Sequence, residues 1–267
     1  MATFGFIGTG NMGGALVKAV AKTVDPSNIT VANRTRQKAE ELASCVGCKV
    51  GDNAEAALCD YVFLGVKPNL IDGVIKDVND SLKQRGASSV LISMAAAVSI
   101  ENVESFIGFK HPVIRIMPNT PVSVGAGVII YCTNDNVTKE AEEGFVKSLS
   151  EAGSLIKIEE KLMDAASALS GCGPAFVDLF MESLADGAVA CGVPRKTAIE
   201  LAARTVLGSA KLLIDSGKNP GLLKDEVCSP GGTTIEGVKA LEDASFRAAG
   251  MNAVIAAYEK TLKLKKK

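Results

Sequence analysis

The run Thr3-Phe4-Gly5-Phe6-Ile7-Gly8-Thr9-Gly10-Asn11-Met12-Gly13 constrains the fold of this chain more than any other. A short apolar stretch ends in glycines spaced GxGxxG, and an apolar-periodic segment, Ala15 to Val20, follows at once. Such spacing lets a strand turn sharply into a helix and brings backbone amides together at the helix N-terminus, with no side chain to hold an anionic group away. The reading is a pyrophosphate-binding turn in which Ile7, Gly8, Thr9, Gly10, Asn11 and Met12 contact a dinucleotide.

Further along, short apolar runs alternate with helix-period segments, the pattern of βαβ units. Strands are expected at residues 3–8, 29–33, 48–50, 61–66, 89–94, 113–117, 127–132 and 154–158. The fold class that follows is a Rossmann-type, doubly wound α/β domain with a mostly parallel sheet over residues 1–161. After Ile158 strand signals stop, and residues 162–267 read as an all-α domain. Its segments 174–191 and 194–215 each begin with proline and are apolar over much of their circumference, with small residues such as Gly187, Ala188, Ala202 and Gly208 permitting close approach. Helices of that kind must be buried. The expectation is a homodimer through this domain.

An NAD site normally carries Asp or Glu at the end of the second strand, to accept from the ribose 2′-hydroxyl. Here that position reads Asn33-Arg34-Thr35-Arg36. With no carboxylate to repel a 2′-phosphate and a planar guanidinium to receive one, NADP is favoured over NAD. Asn53, Val66-Lys67-Pro68, Met94-Ala95-Ala96 and Asn119 fall at comparable strand ends, and together they trace the carboxyl edge of one sheet, where a nicotinamide would lie.

Composition removes several alternatives. The 29 basic and 30 acidic residues are mixed along the chain, unlike the basic face of a nucleic-acid binder, and the lysine-rich end LKLKKK reads as a solvated tail. One histidine, His111, leaves Ser-His-Asp hydrolysis without support, and no metal site is expected. Cys45 and Cys48 form a lone CxxC and read as structural. Seven scattered cysteines, with no export signal or membrane-length apolar run, point to a reducing cytoplasm. So sparse an acid-base inventory suits chemistry whose difficult step a cofactor carries.

The last motif is Ser229-Pro230-Gly231-Gly232-Thr233-Thr234. Proline and two glycines permit a sharp turn, and the threonines open a helix, so several N–H groups would converge on a carboxylate or phosphate. Thr233 and Glu236 also fit a capping box, in which the helix start would satisfy itself.

With GTGNMG, VKP, MPNTP, LSGCGPA (169–175) and LKDEVCSPGGTTIEGVKALE (223–242) in this order, the chain resembles the Δ1-pyrroline-5-carboxylate reductase family over essentially its whole length. The resemblance implies a hydride transfer from NAD(P)H that makes L-proline, and an N-terminal dinucleotide domain followed by a helical domain that interlocks two subunits, with dimers often gathered into rings such as a decamer. It places the active site between the cofactor domain of one subunit and the helical dimer. It further implies that Ser229, Gly231, Gly232, Thr233 and Thr234 receive the substrate carboxylate and ring nitrogen, with Thr234 as the catalytic residue that bonds the nitrogen, and that Glu160 lies on the substrate side. Three positions depart from the family pattern: Cys172 where serine is common, Ala97 where glycine often follows the Ala-Ala pair, and Glu226 where an asparagine that meets the cofactor is frequent. A reductase of another cyclic imine or of a hydroxy acid, and a non-catalytic NADP-sensing dimer, remain as alternative readings.

Overall fold

In the computed structural model, which describes residues 1–265, the chain alternates strands and helices up to residue 170. The order is β1 (Phe4–Ile7), α1 (Asn11–Val20), β2 (Ile29–Ala32), α2 (Arg36–Val46), β3 (Lys49–Val50), α3 (Asn53–Ala57), β4 (Tyr61–Leu64), α4 (Ile71–Arg85), β5 (Val90–Ser93), α5 (Ile100–Ile107), β6 (Val113–Pro118), β7 (Gly127–Thr133), α6 (Lys139–Ser148), β8 (Gly153–Lys157) and α7 (Met163–Ser170). Helices α8 (Gly173–Ala190), α9 (Arg195–Ser216), α10 (Pro220–Glu226), α11 (Thr233–Asp243) and α12 (Phe246–Lys265) complete it. Lys266 and Lys267, the end of the tail read as solvated, lie outside the described residues.

The strands form one eight-stranded sheet in the order β3-β2-β1-β4-β5-β6-β7-β8. All pairs are parallel except β6 with β7. The exception has a local cause. Only a short 3₁₀ turn, Thr120–Val124, joins β6 to β7, and a parallel return needs a crossover of a dozen or more residues. The first six strands have the doubly wound order, whose direction of winding reverses between β1 and β4.

Strand side chains alternate between two cores. Phe4, Phe6, Val31, Phe63, Ile92 and Ile116 pack on one face with Leu16 and Val17 of α1 and Phe145 of α6. Ile7, Ala32, Val62, Leu64 and Leu91 pack on the other with Ile71, Ile75, Val78 and Leu82 of α4 and Val103 of α5. The rings of Phe6 and Phe63 stack with centroids 4.4 Å apart. Burying each such side chain contributes about 1.5–3 kcal/mol, so a sheet covered on both faces needs the near-continuous apolar strands seen here.

The chain divides into two compact units, residues 1–172 together with those from Tyr258 onward, and Gly173–Ala257. The division falls later than residue 161 because α7 belongs with the sheet: Met163 is buried in the second core, and Asp164 pairs with Arg115 of β6 at 2.9 Å. In the helical unit, α8 and α9 meet through Ala185, Ala198 and Ala202, its buried apolar core, with Met181 and Val193 beside them. Phe180 of α8 also packs on Phe246 of α12, ring centroids 5.4 Å apart. Pro194 is the N-cap of α9 and stands just before the first helical turn.

Candidate active site: two glycine turns

The first turn lies at the switch point of the sheet. Gly8 has φ +94°, and a Cβ there would come within 2.6 Å of the Gly65 carbonyl oxygen. Cβ atoms built on Gly13 and Gly65 would lie 2.2 and 2.3 Å from the Gly8 carbonyl oxygen, so β1, α1 and the end of β4 can meet only because all three residues are glycine. Gly65 was missed in the sequence reading, although a glycine closing an apolar strand is the usual sign of close backbone approach. At Gly10 the situation is reversed. A Cβ there would meet no atom within 4 Å, so the position opens outward.

Gly10 is the N-cap of α1 and supplies no side-chain acceptor, which leaves the amides of the first turn, Asn11 and Met12 among them, free to bind an anion. Asn33 fixes the turn from the end of β2, accepting from the Thr9 N–H at 3.1 Å and donating to the Thr35 carbonyl at 3.0 Å. The Thr9 hydroxyl oxygen is buried with no hydrogen-bond partner among the described residues. An outward-open glycine, free amides and an orphaned hydroxyl fit a dinucleotide pyrophosphate.

Arg34 and Arg36 have different fates. The Arg36 guanidinium donates to Glu40 one turn along α2, at 2.9 Å, in a solvent-exposed pair, whereas Arg34 is exposed and without an acidic partner among the described residues. At the start of α3, Asn53 follows a capping box between Asp52 and Glu55, which already satisfies that helix end. Lys67 and Pro68 are exposed after β4, while beyond β5 Met94 is half-buried, Ala95 buried and Ala96 exposed. Asn119 is buried, and its side chain tethers two segments by donating to the Ser170 carbonyl at 2.9 Å and accepting from the Val128 N–H at 2.8 Å. The structure thus gives its amide a bracing role.

Glu160 is similarly committed. One carboxylate oxygen accepts from the Ile100 N–H at the start of α5, 2.7 Å, and from Arg115 at 3.2 Å. Arg115 is fully buried in β6 and needs both Glu160 and Asp164 to offset its desolvation.

The second turn precedes α11. The Gly232 N–H donates to the Ser229 carbonyl at 3.0 Å, and Gly231 has φ +67°, so Ser229-Pro230-Gly231-Gly232 is a type II turn with proline and glycine at their preferred positions. Gly232 is the N-cap of α11 and no side chain caps it. The capping box expected from Thr233 and Glu236 does not form, because Thr233 is the first helical residue and Gly232 takes the cap position. The side chains of Asp52, Ser99, Thr138 and Asn219 cap α3, α5, α6 and α10, while α2, α4, α7 and α9 lack a side-chain cap but have no glycine at the cap position. Helices α1 and α11 instead begin at glycine with open amides, and Thr234 stands exposed in the first turn of α11.

The largest shifts of ionisation occur away from both turns. Burial holds the His111 imidazole down to about 4, and burial with the Glu142 carboxylate pushes Tyr131 up to about 12. All seven cysteines are free, Cys45 and Cys48 included. Among the described residues no helix is long and apolar enough to cross a membrane, and no group of three potential metal ligands is present.

Comparison with known proteins bears on both units. Residues 160–264 match the family model for pyrroline-5-carboxylate reductase dimerisation, and residues 3–97 match that for NADP oxidoreductase, coenzyme F420-dependent. The pyrroline-5-carboxylate reductase of Methanosarcina acetivorans is 39% identical over 267 residues, 98% of each chain. That of Arabidopsis thaliana is 36% identical over 264 residues, 97% of this chain and 94% of its own. The chain belongs to the pyrroline-5-carboxylate reductase family. The crystal structure of the Plasmodium falciparum pyrroline carboxylate reductase, with NADP bound, superposes at a TM-score of 0.88 with 34% identity, covering 99% of this chain and 98% of that one. Membership makes this an enzyme with a nicotinamide cofactor and assigns the helical unit to homo-oligomerisation.

One departure from the family pattern has a structural consequence. Ala97 occupies the left-handed region, φ +64°, where the Cβ of a non-glycine residue costs about 1–2 kcal/mol. The other departure with a visible context is Glu226, whose carboxylate is paired with Lys218 at 2.6 Å.

Proposed function

We propose that this chain reduces 1-pyrroline-5-carboxylate to L-proline with NADPH as the preferred donor. The observation that carries this reading is the uncapped, glycine-built start of α11, which offers converging amides to a small carboxylate beside the Thr234 hydroxyl. A reduced nicotinamide, when bound, supplies hydride. The protein's own residues hold and orient the imine: the amides from Gly232 to Thr234 take the carboxylate, Ser229 and Gly231 shape the turn, and Thr234 holds the ring nitrogen. The imine carbon, C2 of the pyrroline ring and C5 of the proline formed, accepts the hydride, the C=N electron pair moves to nitrogen, and the iminium already carries the proton the amine needs. No strong general acid is then required, and catalysis is chiefly positioning.

Arg34 supports the NADPH preference, and Lys218 offsets the charge of Glu226 that would oppose it. The cofactor assignments to the glycine loop, Asn33, Thr35, Asn53, Val66–Pro68, Met94–Ala96 and Asn119 belong to this proposal, as does Glu160 on the substrate side. So do dimerisation through the helical unit, gathering of dimers into a decamer, and a cytoplasmic location, the last supported by seven unpaired cysteines.

An NADPH-oxidation assay with pyrroline-5-carboxylate, repeated with NADH, tests the activity and the preference. Thr234→Ala should lower kcat/KM about ten- to a hundredfold, roughly 1.4–2.7 kcal/mol of transition-state stabilisation. Turnover of hydroxy acids but not of the imine, or cofactor binding with no turnover, would overturn the reading.

A further inference from the structure

We propose that the turn Ala95-Ala96-Ala97-Val98 is a strained positioning element and that Ala97 limits how tightly this enzyme holds its dinucleotide. The Val98 N–H donates to the Ala95 carbonyl at 3.4 Å, and Ala97 is at φ +64° while Ala96 keeps a negative φ. That combination is a type II turn with alanine where the geometry favours glycine. The same turn type occurs at Ser229–Gly232, there with Gly231 at φ +67°. Two equivalent turns therefore differ in strain through one methyl group.

Position gives the strain a use. The turn follows the carboxyl end of β5, which pairs in parallel with β4. It lies on the second mononucleotide-binding half of the doubly wound sheet, the half opposite the glycine loop of β1. Both ends of the segment are anchored: the Met94 N–H donates to the Leu64 carbonyl at 3.4 Å, and beyond the turn the Ile100 N–H is held by Glu160 at 2.7 Å. Relief of strain is thus confined to rotating the Ala96–Ala97 peptide into a type I turn, which reverses its C=O and N–H at the exposed sheet edge. On the reading that a nicotinamide dinucleotide binds this edge, alanine makes the receptive turn one of two nearly balanced forms, and apparent affinity falls by the fraction that is receptive.

Calorimetric titration of the full-length enzyme with NADPH tests this in wild type, Ala97→Gly, Ala97→Asn and Ala97→Val. Dissociation constants should rise in the order Gly, Asn, Ala, Val, the order of reluctance to adopt positive φ, with Ala97→Gly tightening binding up to about twofold and Ala97→Val weakening it by more than that. KM for the dinucleotide should follow while kcat holds within about twofold. Ser245 is the other non-glycine residue at positive φ, 59°, between α11 and α12. Ser245→Gly should move thermal stability as Ala97→Gly does and leave NADPH affinity unchanged. Equal affinity across the Ala97 series, or the same gain from Ser245→Gly, overturns the proposal. A wild-type enzyme that binds no NADPH would instead defeat the functional reading beneath it.

Discussion

The sheet unit and the helical unit use apolar residues in opposite ways. In the sheet unit Phe6, Phe63, Ile75, Leu82 and Ile114 are essentially inaccessible, each enclosed by strand and helix of the same chain. In the helical unit the buried apolar core is three alanines, while Leu207 and Ile214 of α9 are 67% and 79% exposed. A helix with that much apolar surface in water is unfinished. Its composition is that of a domain core divided between subunits, in agreement with the dimerisation family it matches. One unit encloses its own core; the other carries apolar helix faces that, on the proposed dimer, a second chain would cover.

The strongest way to break that contrast is the double substitution Leu207→Glu with Ile214→Glu. It should weaken dimerisation at least about a thousandfold, roughly 4 kcal/mol, so that sedimentation equilibrium shows monomers and imine turnover is lost. NADPH affinity should stay within about threefold. A dimer that survives both charges would mean that the exposed face serves something else.

A deletion inside the sheet should act on folding instead. Phe63→Ala removes a ring stacked on Phe6 and should cost about 3–5 kcal/mol in urea unfolding. Leu212→Ala, half-exposed on α9, should change unfolding of the monomeric double variant by less than about 0.5 kcal/mol. Comparable losses would show that the helical unit has its own core after all.

Acid should act on the sheet unit through His111. Its imidazole is fully buried, neither ring nitrogen has a hydrogen-bond partner among the described residues, and burial lowers its pKa to about 4. The unfolded chain takes up a proton near pH 6.5 and the folded one does not until about 4. Stability from this residue is therefore whole above pH 6.5, falls as pH drops through that window, and levels off below it, by roughly 3 kcal/mol at most. His111→Leu should remove that part of the slope, measured as the difference between the two unfolding curves. A small gain, below about 1 kcal/mol in stability, is expected for Ala97→Gly.

Much of the sheet unit was legible because short apolar runs, helix-period segments and the glycine spacing after β1 are local signals. The turn at Gly8 and Gly10 and the position of Asn33 after β2 are local in the same way. Asn119 and Glu160 could not: each lies near a recognisable motif, but its hydrogen bonds run to Ser170, Val128, Ile100 and Arg115, partners far along the chain. The capping box at Thr233 failed because its spacing is equally compatible with a glycine cap one residue earlier.

By itself, then, the order of residues determined the element types, the two glycine turns and the apolar helices that call for a partner, all consequences of backbone sterics and hydrophobic period. Only the tertiary structure decided that Arg115 is paired with Glu160 and Asp164, that α7 belongs to the sheet, and that Ala97 stands in a glycine's conformation. The reason is that pairing, packing and strain depend on which distant groups are brought into contact, and a linear pattern holds no distances between them.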